Sequence, residues 1–250
     1  MQKKIAVIND LSGYGRCSLT VAIPVLSVMG HQCCPVPTAI LSNHTEFPVY
    51  FFDDYTEKMT AYTDKWKELG LSFDAVATGF LGSEAQIEIV MDMIRKLESE
   101  ETFVVVDPVM GDHGHAYETY TPEMCEQMKE LVCMADIVLP NVTECCILTD
   151  TPYKKENWTR RELLNMAMML RLMGAKSVVI TGVREGSYYT NVVLERGQME
   201  AKFIRTRSSG GERPGTGDVF SSVVAGALLN GKSLPEAVAQ AAGFVKECIK

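Results

Sequence analysis

The run Ala75-Val-Ala-Thr78, then Ser83-Glu-Ala-Gln-Ile-Glu-Ile-Val-Met-Asp-Met-Ile-Arg-Lys-Leu97, then Phe103-Val-Val-Val106, decides the fold class. The outer pieces are short and apolar, as buried strands are. Between them Ile87, Val90, Met91 and Ile94 recur at helical spacing. Ser83, with Gln86 three residues on, reads as the N-cap of that helix. A strand, a helix and a strand in this order form a crossover unit, which sets the two strands side by side in parallel.

The same alternation continues outward in both directions. Further β-rich runs lie at 4–8, 34–41, 137–139 and 178–181, and 165–173 is helical, its Met166, Met169, Leu170 and Met173 reading as core filling. The rhythm changes at 187–205, where Tyr188–Leu194 and 199–204 flank Glu-Arg-Gly-Gln as a hairpin. Two helical patterns close the chain. The expected architecture is α/β, with a mainly parallel central sheet, helices on both faces and a late β-hairpin. No linker, repeat or low-complexity tract interrupts residues 1–250, so one domain is expected.

Composition narrows the function. Lys and Arg number 24 against 32 Asp and Glu, a net charge of −8 that argues against a broad nucleic-acid-binding face. The eight cysteines include no Cys-x-x-Cys, and the adjacent pairs Cys33-Cys34 and Cys145-Cys146 do not suit ordinary bridges. Reduced thiols in a cytoplasmic protein are expected. The first apolar run is too short for a signal segment, and no run approaches eighteen apolar residues, so no membrane span is expected.

Polar residues gather where the strands end, which is where open parallel sheets bind ligands. Asn9 and Asp10 follow the first strand, Asn43-His44-Thr45 the second, Gly79-Phe80 the third, and Asp107, Asn141, Glu144 and Thr181 later ones. The sharpest signal is Pro214-Gly-Thr-Gly-Asp218, which runs straight into the apolar helical face of Val219, Phe220, Val223, Val224, Ala227 and Leu228. Two readings stand: free amides at a helix start that favour an anion, or a turn that Asp218 merely caps. Asp107-Pro-Val-Met-Gly-Asp112 places two carboxylates about a turn and suits a hard cation such as Mg²⁺. Asn141 and Glu144 could face the same rim or form a capping box. Together these features describe phosphoryl transfer, with Asp218 receiving the proton of an acceptor hydroxyl.

Other motifs carry less. Gly226-Ala-Leu-Leu-Asn-Gly-Lys-Ser233 matches a P-loop expression, yet its first residues continue a helix face, and Ser233-Leu-Pro-Glu236 reads as the start of the last helix. Gly13-Tyr-Gly15 is followed by Ser18 instead of the third glycine of a dinucleotide loop. His113 and His115 read as a surface loop.

With these residues in order, the chain resembles the ribokinase-like superfamily, and within it the pyridoxal (vitamin B6) kinases. The matching pieces are Leu11-Ser-Gly-Tyr-Gly15, Leu41-Ser-Asn-His-Thr45, Thr78-Gly-Phe80, Asp107-Pro-Val-Met-Gly-Asp112, Pro140-Asn-Val-Thr-Glu144, Val178-Val-Ile-Thr181 and Gly215-Thr-Gly-Asp218. The resemblance implies a three-layer ribokinase-like fold and an ATP- and Mg²⁺-dependent kinase acting on the 5′-hydroxymethyl group of pyridoxal, pyridoxine or pyridoxamine. It implies Asp218 as catalytic base and Gly215, Thr216 and Gly217 as anion hole. Asp107, Asp112, Tyr120, Asn141, Glu144 and Thr181 are implied on the ATP side, with Tyr117 a rival to Tyr120 as the cover over ATP. Asp107, Asp112 and Glu144 are implied near Mg²⁺, directly or through water. Ser12, His44, Thr45 and Phe80 are implied around the pyridine ring. Related enzymes commonly form homodimers and often use K⁺.

Three departures qualify the transfer. Leu139 stands where a threonine is often found, the stretch 208–214 is rich in Gly and charge, and 237–249 still reads as helix where family chains usually continue. The last point suggests a clipped chain or a missing element over the nucleotide. Two alternatives follow: a kinase of the thiamine precursor hydroxymethylpyrimidine, or a catalytically silent nucleotide-binding homologue.

Overall fold

Parallel pairing dominates the computed structural model, which describes every residue except Met1, Glu98, Glu100 and Glu212. The strands are β1 (Lys4–Tyr14), β2 (Gln32–Asn43), β3 (Phe52–Asp54), β4 (Ala75–Thr78), β5 (Phe103–Val106), β6 (Gly111–Asp112), β7 (His115–Ala116), β8 (Ile137–Val138), β9 (Ser177–Glu185), β10 (Tyr188–Leu194) and β11 (Lys202–Arg207). Nine of them form one sheet in the order β11-β10-β9-β8-β5-β4-β1-β2-β3, while β6 and β7 pair apart from it. The six strands from β9 to β2 run parallel; β3 is antiparallel at one edge, and β10 and β11 at the other.

Alternate strand residues face two apolar layers, because successive side chains point to opposite sides. Ala6, Ile8, Val76, Val104 and Val106 meet the helices α2 (Thr56–Glu68), α3 (Glu84–Leu97), α4 (Pro122–Cys133), α5 (Val142–Leu148) and α6 (Arg160–Met173). Ile5, Val7, Ala75 and Val105 meet α1 (Ser18–Val28), α7 (Thr216–Leu229) and α8 (Leu234–Cys248). This is the three-layer α/β arrangement expected from the alternation. The Ser83 hydroxyl accepts from the Gln86 amide at 3.3 Å, starting α3 as its sequence reads.

The structure corrects several boundaries. Strand β1 does not stop at Ile8 but continues to Tyr14, with a register shift against β2 between Asn9 and Leu11. Strand β9 runs past Thr181 to Glu185 and turns directly into β10, so the late hairpin is a three-strand meander. Gly182 reads as a strand end, yet at φ +66° it carries the strand through a conformation most residues resist. The last strand begins at Lys202, three residues after the expected start.

The P-loop match dissolves. Gly226 to Leu229 lie inside α7, Gly231 follows its end at φ +79°, and Ser233 with Glu236 forms the capping box of α8. Among the described residues no helix is long and apolar enough to cross a membrane.

Candidate active site

Strands β4, β5 and β8 end together at Thr78, Val106 and Val138. Strand β1 loses its β4 partner after Ile8, so Asn9 to Tyr14 project past that rim while still pairing with β2. The projecting segment carries the first part of the site.

Asn9 is 5% exposed, and both ends of its side-chain amide are bonded. Its Oδ1 accepts from the amides of Asp10 at 3.0 Å and Phe80 at 2.9 Å. That fixes the amide's orientation, and its Nδ2 donates to Asp218 Oδ1 at 3.0 Å. A Cβ on Gly79 would fall 2.3 Å from Asn9 Nδ2, so the chain passes here only with glycine. Asp10 is buried, and accepts from the hydroxyls of Ser12 at 2.8 Å and Ser18 at 2.5 Å.

Asp218 opens α7 but caps nothing. The helix's N-cap is Gly215, at φ +79° and without a side-chain cap bond. A Cβ there would lie 1.8 Å from the Arg16 carbonyl oxygen, so this turn is wedged against the segment entering α1. The amide of Val219 bonds back to Gly215 O at 3.0 Å, whereas those of Thr216, Gly217 and Asp218 find no acceptor among the described residues. Three free N–H groups at the positive end of a helix dipole form an anion cradle. Burial pushes the Asp218 carboxyl up to about 6; the Ser18 amide and the Asn9 side chain counter that rise, and the Asp10 charge adds to it.

A second acidic group stands across the rim. Glu144 is 3% exposed, and its oxygens accept from the amides of Met110 at 3.1 Å and Asn141 at 2.7 Å. Asn141 Oδ1 accepts in return from the Glu144 amide at 3.0 Å, and its Nδ2 ties Gly111 O at 2.8 Å. The capping box of α5 is therefore real, and it also holds the turn that carries Asp112. Burial pushes Glu144 above the usual carboxylate range. Asp107 is raised too, by burial first and then by the charges of Glu144 and Asp218, against the Ser221 hydroxyl. Thr181 sits beside Asn141, its amide bonded to Pro140 O at 2.8 Å. Leu139 is a buried core residue.

Expectations meet the coordinates unevenly. Asp107, Asn141, Glu144, Thr181 and Asp218 converge on one rim. Asp112 is exposed on the β6–β7 hairpin, where the His113 amide donates to it at 2.7 Å. Tyr120, expected over the nucleotide, is 7% exposed and packed in the core, because α4 starts just after it and turns it inward. Tyr117 is 43% exposed, and the charges of Glu144, Asp112, Asp107 and Asp218 all bear on its hydroxyl. Of the two rings, Tyr117 is the one that stands near the acids.

Asp107, Asp112 and Glu144 are the residues that would hold a Mg²⁺ ion. Both Glu144 oxygens are spent on backbone amides, and among the described residues no three His, Cys, Asp or Glu side chains cluster to hold an ion. The carboxylate oxygens of these three acids are donors of the type a hydrated Mg²⁺ takes, reached through water.

On the acceptor side Ser12 is buried against Asp10. The half-buried His44 ring stands 4.7 Å from Phe47 and so close to Gly15 that a Cβ there would come within 2.5 Å of it. Phe80 is half-buried and bound through its amide to Asn9, and Thr45 is exposed. Asn9, Asp10 and Ser18 received no role in the sequence reading. Their polarity just beyond an apolar strand was the one available signal.

Residues 23–250 match the family model described as phosphomethylpyrimidine kinase. A provisional phosphomethylpyrimidine kinase from Bacteroides thetaiotaomicron, solved in a form with pyridoxal, is 42% identical with a TM-score of 0.93, over 98% of this chain and 86% of that one. Pyridoxal kinase from Lactobacillus plantarum is 29% identical with a TM-score of 0.91, over 99% and 87%. A hydroxymethylpyrimidine/phosphomethylpyrimidine kinase of Aquifex aeolicus (strain VF5) is 30% identical over 176 residues, 70% of this chain and 66% of that protein.

Proposed function

The chain belongs to the phosphomethylpyrimidine kinase family as a pyridoxal kinase-like phosphotransferase, and from that premise we propose that residues 1–250 act as one kinase domain that phosphorylates the 5′-hydroxymethyl group of pyridoxal, pyridoxine or pyridoxamine. One observation carries the reading. The Asp218 carboxyl, held by Asn9, adjoins three amides without acceptors at the start of α7.

In this mechanism Asp218 takes the proton of the acceptor hydroxyl as its oxygen bonds to the γ-phosphorus of ATP. The bond from that phosphorus to the β,γ-bridging oxygen breaks, and ADP leaves. The amides of Thr216, Gly217 and Asp218 surround the migrating phosphoryl group, whose charge they stabilise without reorganising. A Mg²⁺ ion, held through water by Asp107, Asp112 and Glu144, would neutralise the ATP phosphates. Asn141 and Thr181 border the phosphates, and Tyr117 covers the nucleotide. Gly215 keeps the cradle open. Ser12, His44, Thr45 and Phe80 surround the ring. The homodimer and a K⁺ requirement belong to the same proposal through the family resemblance.

The Aquifex relative favours a second acceptor, hydroxymethylpyrimidine, whose flat ring also bears a hydroxymethyl group. The pyridoxal-bound Bacteroides protein supports the B6 acceptor. Side-by-side turnover of the three vitamers and hydroxymethylpyrimidine with ATP decides between them. Asp218→Ala is expected to lower kcat by about 10²–10⁴-fold while nucleotide still binds. Undiminished turnover would remove Asp218 as the base, and absence of turnover on every acceptor would favour the silent homologue.

A further inference from the structure

Behind Asp218, on the side away from the rim, a cavity of about 20 Å³ lies between β1 and the helices α1 and α7. That exceeds the roughly 10–15 Å³ one water needs. Most of its wall is aliphatic, but Asn9, Thr78, Asp218, Ser221 and Ser222 also line it. The last three lie one helical turn apart on a single face of α7, which Ala225 extends. Asn9 is bonded through both its Oδ1 and its Nδ2, and the Ser221 hydroxyl donates to Asp218 O at 3.3 Å. Two hydroxyls remain: Thr78 Oγ1 is buried with no hydrogen-bond partner among the described residues, and Ser222, 7% exposed, makes no side-chain hydrogen bond among them either. A buried hydroxyl rarely remains unpaired, since that forfeits about 1–3 kcal/mol.

We propose that this cavity binds one ordered water, which pairs with Ser222 Oγ and supports the Asp218 carboxyl from its inner side. Ser222 is then a positioning residue, acting on the base through that water. The water site stands on the cavity and the hydroxyls of Thr78 and Ser222; the positioning role of Ser222 rests on the proposed assignment of Asp218 as base. A water with two or three polar partners serves nearly as well as a direct hydrogen bond. It would add a third restraint to a carboxyl held by the Ser18 amide and the Asn9 side chain.

Two variants remove the water by independent routes. Ser222→Ala deletes its partner, and Ala22→Val fills the cavity from α1 without touching a polar group. Crystal structures of the full chain, with water-proton relaxation dispersion in solution, should show one long-lived water within hydrogen-bond reach of Ser222 Oγ and its loss from both variants. In both, kcat should fall about 3- to 10-fold with KM for ATP unchanged, the size of one water-mediated hydrogen bond. Ser222→Thr should restore the water and the rate. A wild-type cavity without ordered water overturns the site, whether or not the variants fold. Water present in the wild type, with kcat unchanged in folded variants that have lost it, overturns the positioning role. An active Asp218→Ala variant would instead refute the base assignment and leave the water site standing.

Discussion

Replacing Asp218 by asparagine should make the protein more stable and almost inactive. Burial raises this carboxyl from its usual 3.8 to about 6. Ionising it in place therefore costs at most about 3 kcal/mol, at 1.36 kcal/mol per pH unit. Partial access to solvent, and the Ser18 amide that an asparagine NH₂ group would face unfavourably, reduce the recoverable part to about 1–3 kcal/mol. The sign follows from linkage. Between pH 4 and 6 the folded state binds the extra proton more tightly than the unfolded chain, so wild-type stability falls as pH rises through that window. Asparagine carries no charge and still offers an oxygen to Asn9, so it escapes the loss. Thermal unfolding at pH 8 should place Asp218→Asn about 3–8 °C above wild type for a chain of this size. The gap should close towards pH 4, while kcat at pH 8 is lower by about 10²–10⁴-fold. A variant less stable than wild type at pH 8, or one whose advantage is the same at both pH values, would refute the account of a buried, costly carboxylate.

Three other substitutions probe the surroundings. Gly215→Ala forces a Cβ to within 1.8 Å of Arg16 O at a positive φ, and should cost at least about 2 kcal/mol in denaturant unfolding and most of the turnover. Asn141→Ala loses the bonds to the Glu144 amide and to Gly111 O; a stability loss of about 1–3 kcal/mol and a several-fold rise in KM for ATP are expected in calorimetry and initial-rate assays. The two tyrosines should separate cleanly. Tyr120→Phe removes a buried hydroxyl that has no hydrogen-bond partner among the described residues, raising stability by about 1 kcal/mol with nucleotide affinity unchanged, whereas Tyr117→Ala should weaken ATP binding with little effect on melting.

Much of this was legible because the fold is built from local patterns. The α3 face, the apolar runs of β4 and β5 and the Ser233–Glu236 cap each state their conformation within a few residues, and the structure keeps them all. Strand ends read less well. Polar Asn9 and Asp10 read as lying beyond the first strand, but backbone pairing with β2 carries β1 on to Tyr14. Gly182 looked like a stop and is a kink within β9. The site was visible as separate acids, not as a constellation. That Asn9 orients Asp218 depends on a contact between residues 209 positions apart, which no local pattern encodes. Tyr120 and Tyr117 show the same limit: only the placement of α4 decides which ring is core and which faces the acids.

The central claim is most directly tested by a structure of the complex with a non-hydrolysable ATP analogue and pyridoxal. The account predicts the vitamer's 5′-oxygen within about 2.6–3.2 Å of an Asp218 oxygen, and the amides of Thr216, Gly217 and Asp218 directed at the γ-phosphoryl oxygens. A terminal phosphate bound away from the start of α7, or an acceptor alcohol out of reach of Asp218, would contradict it.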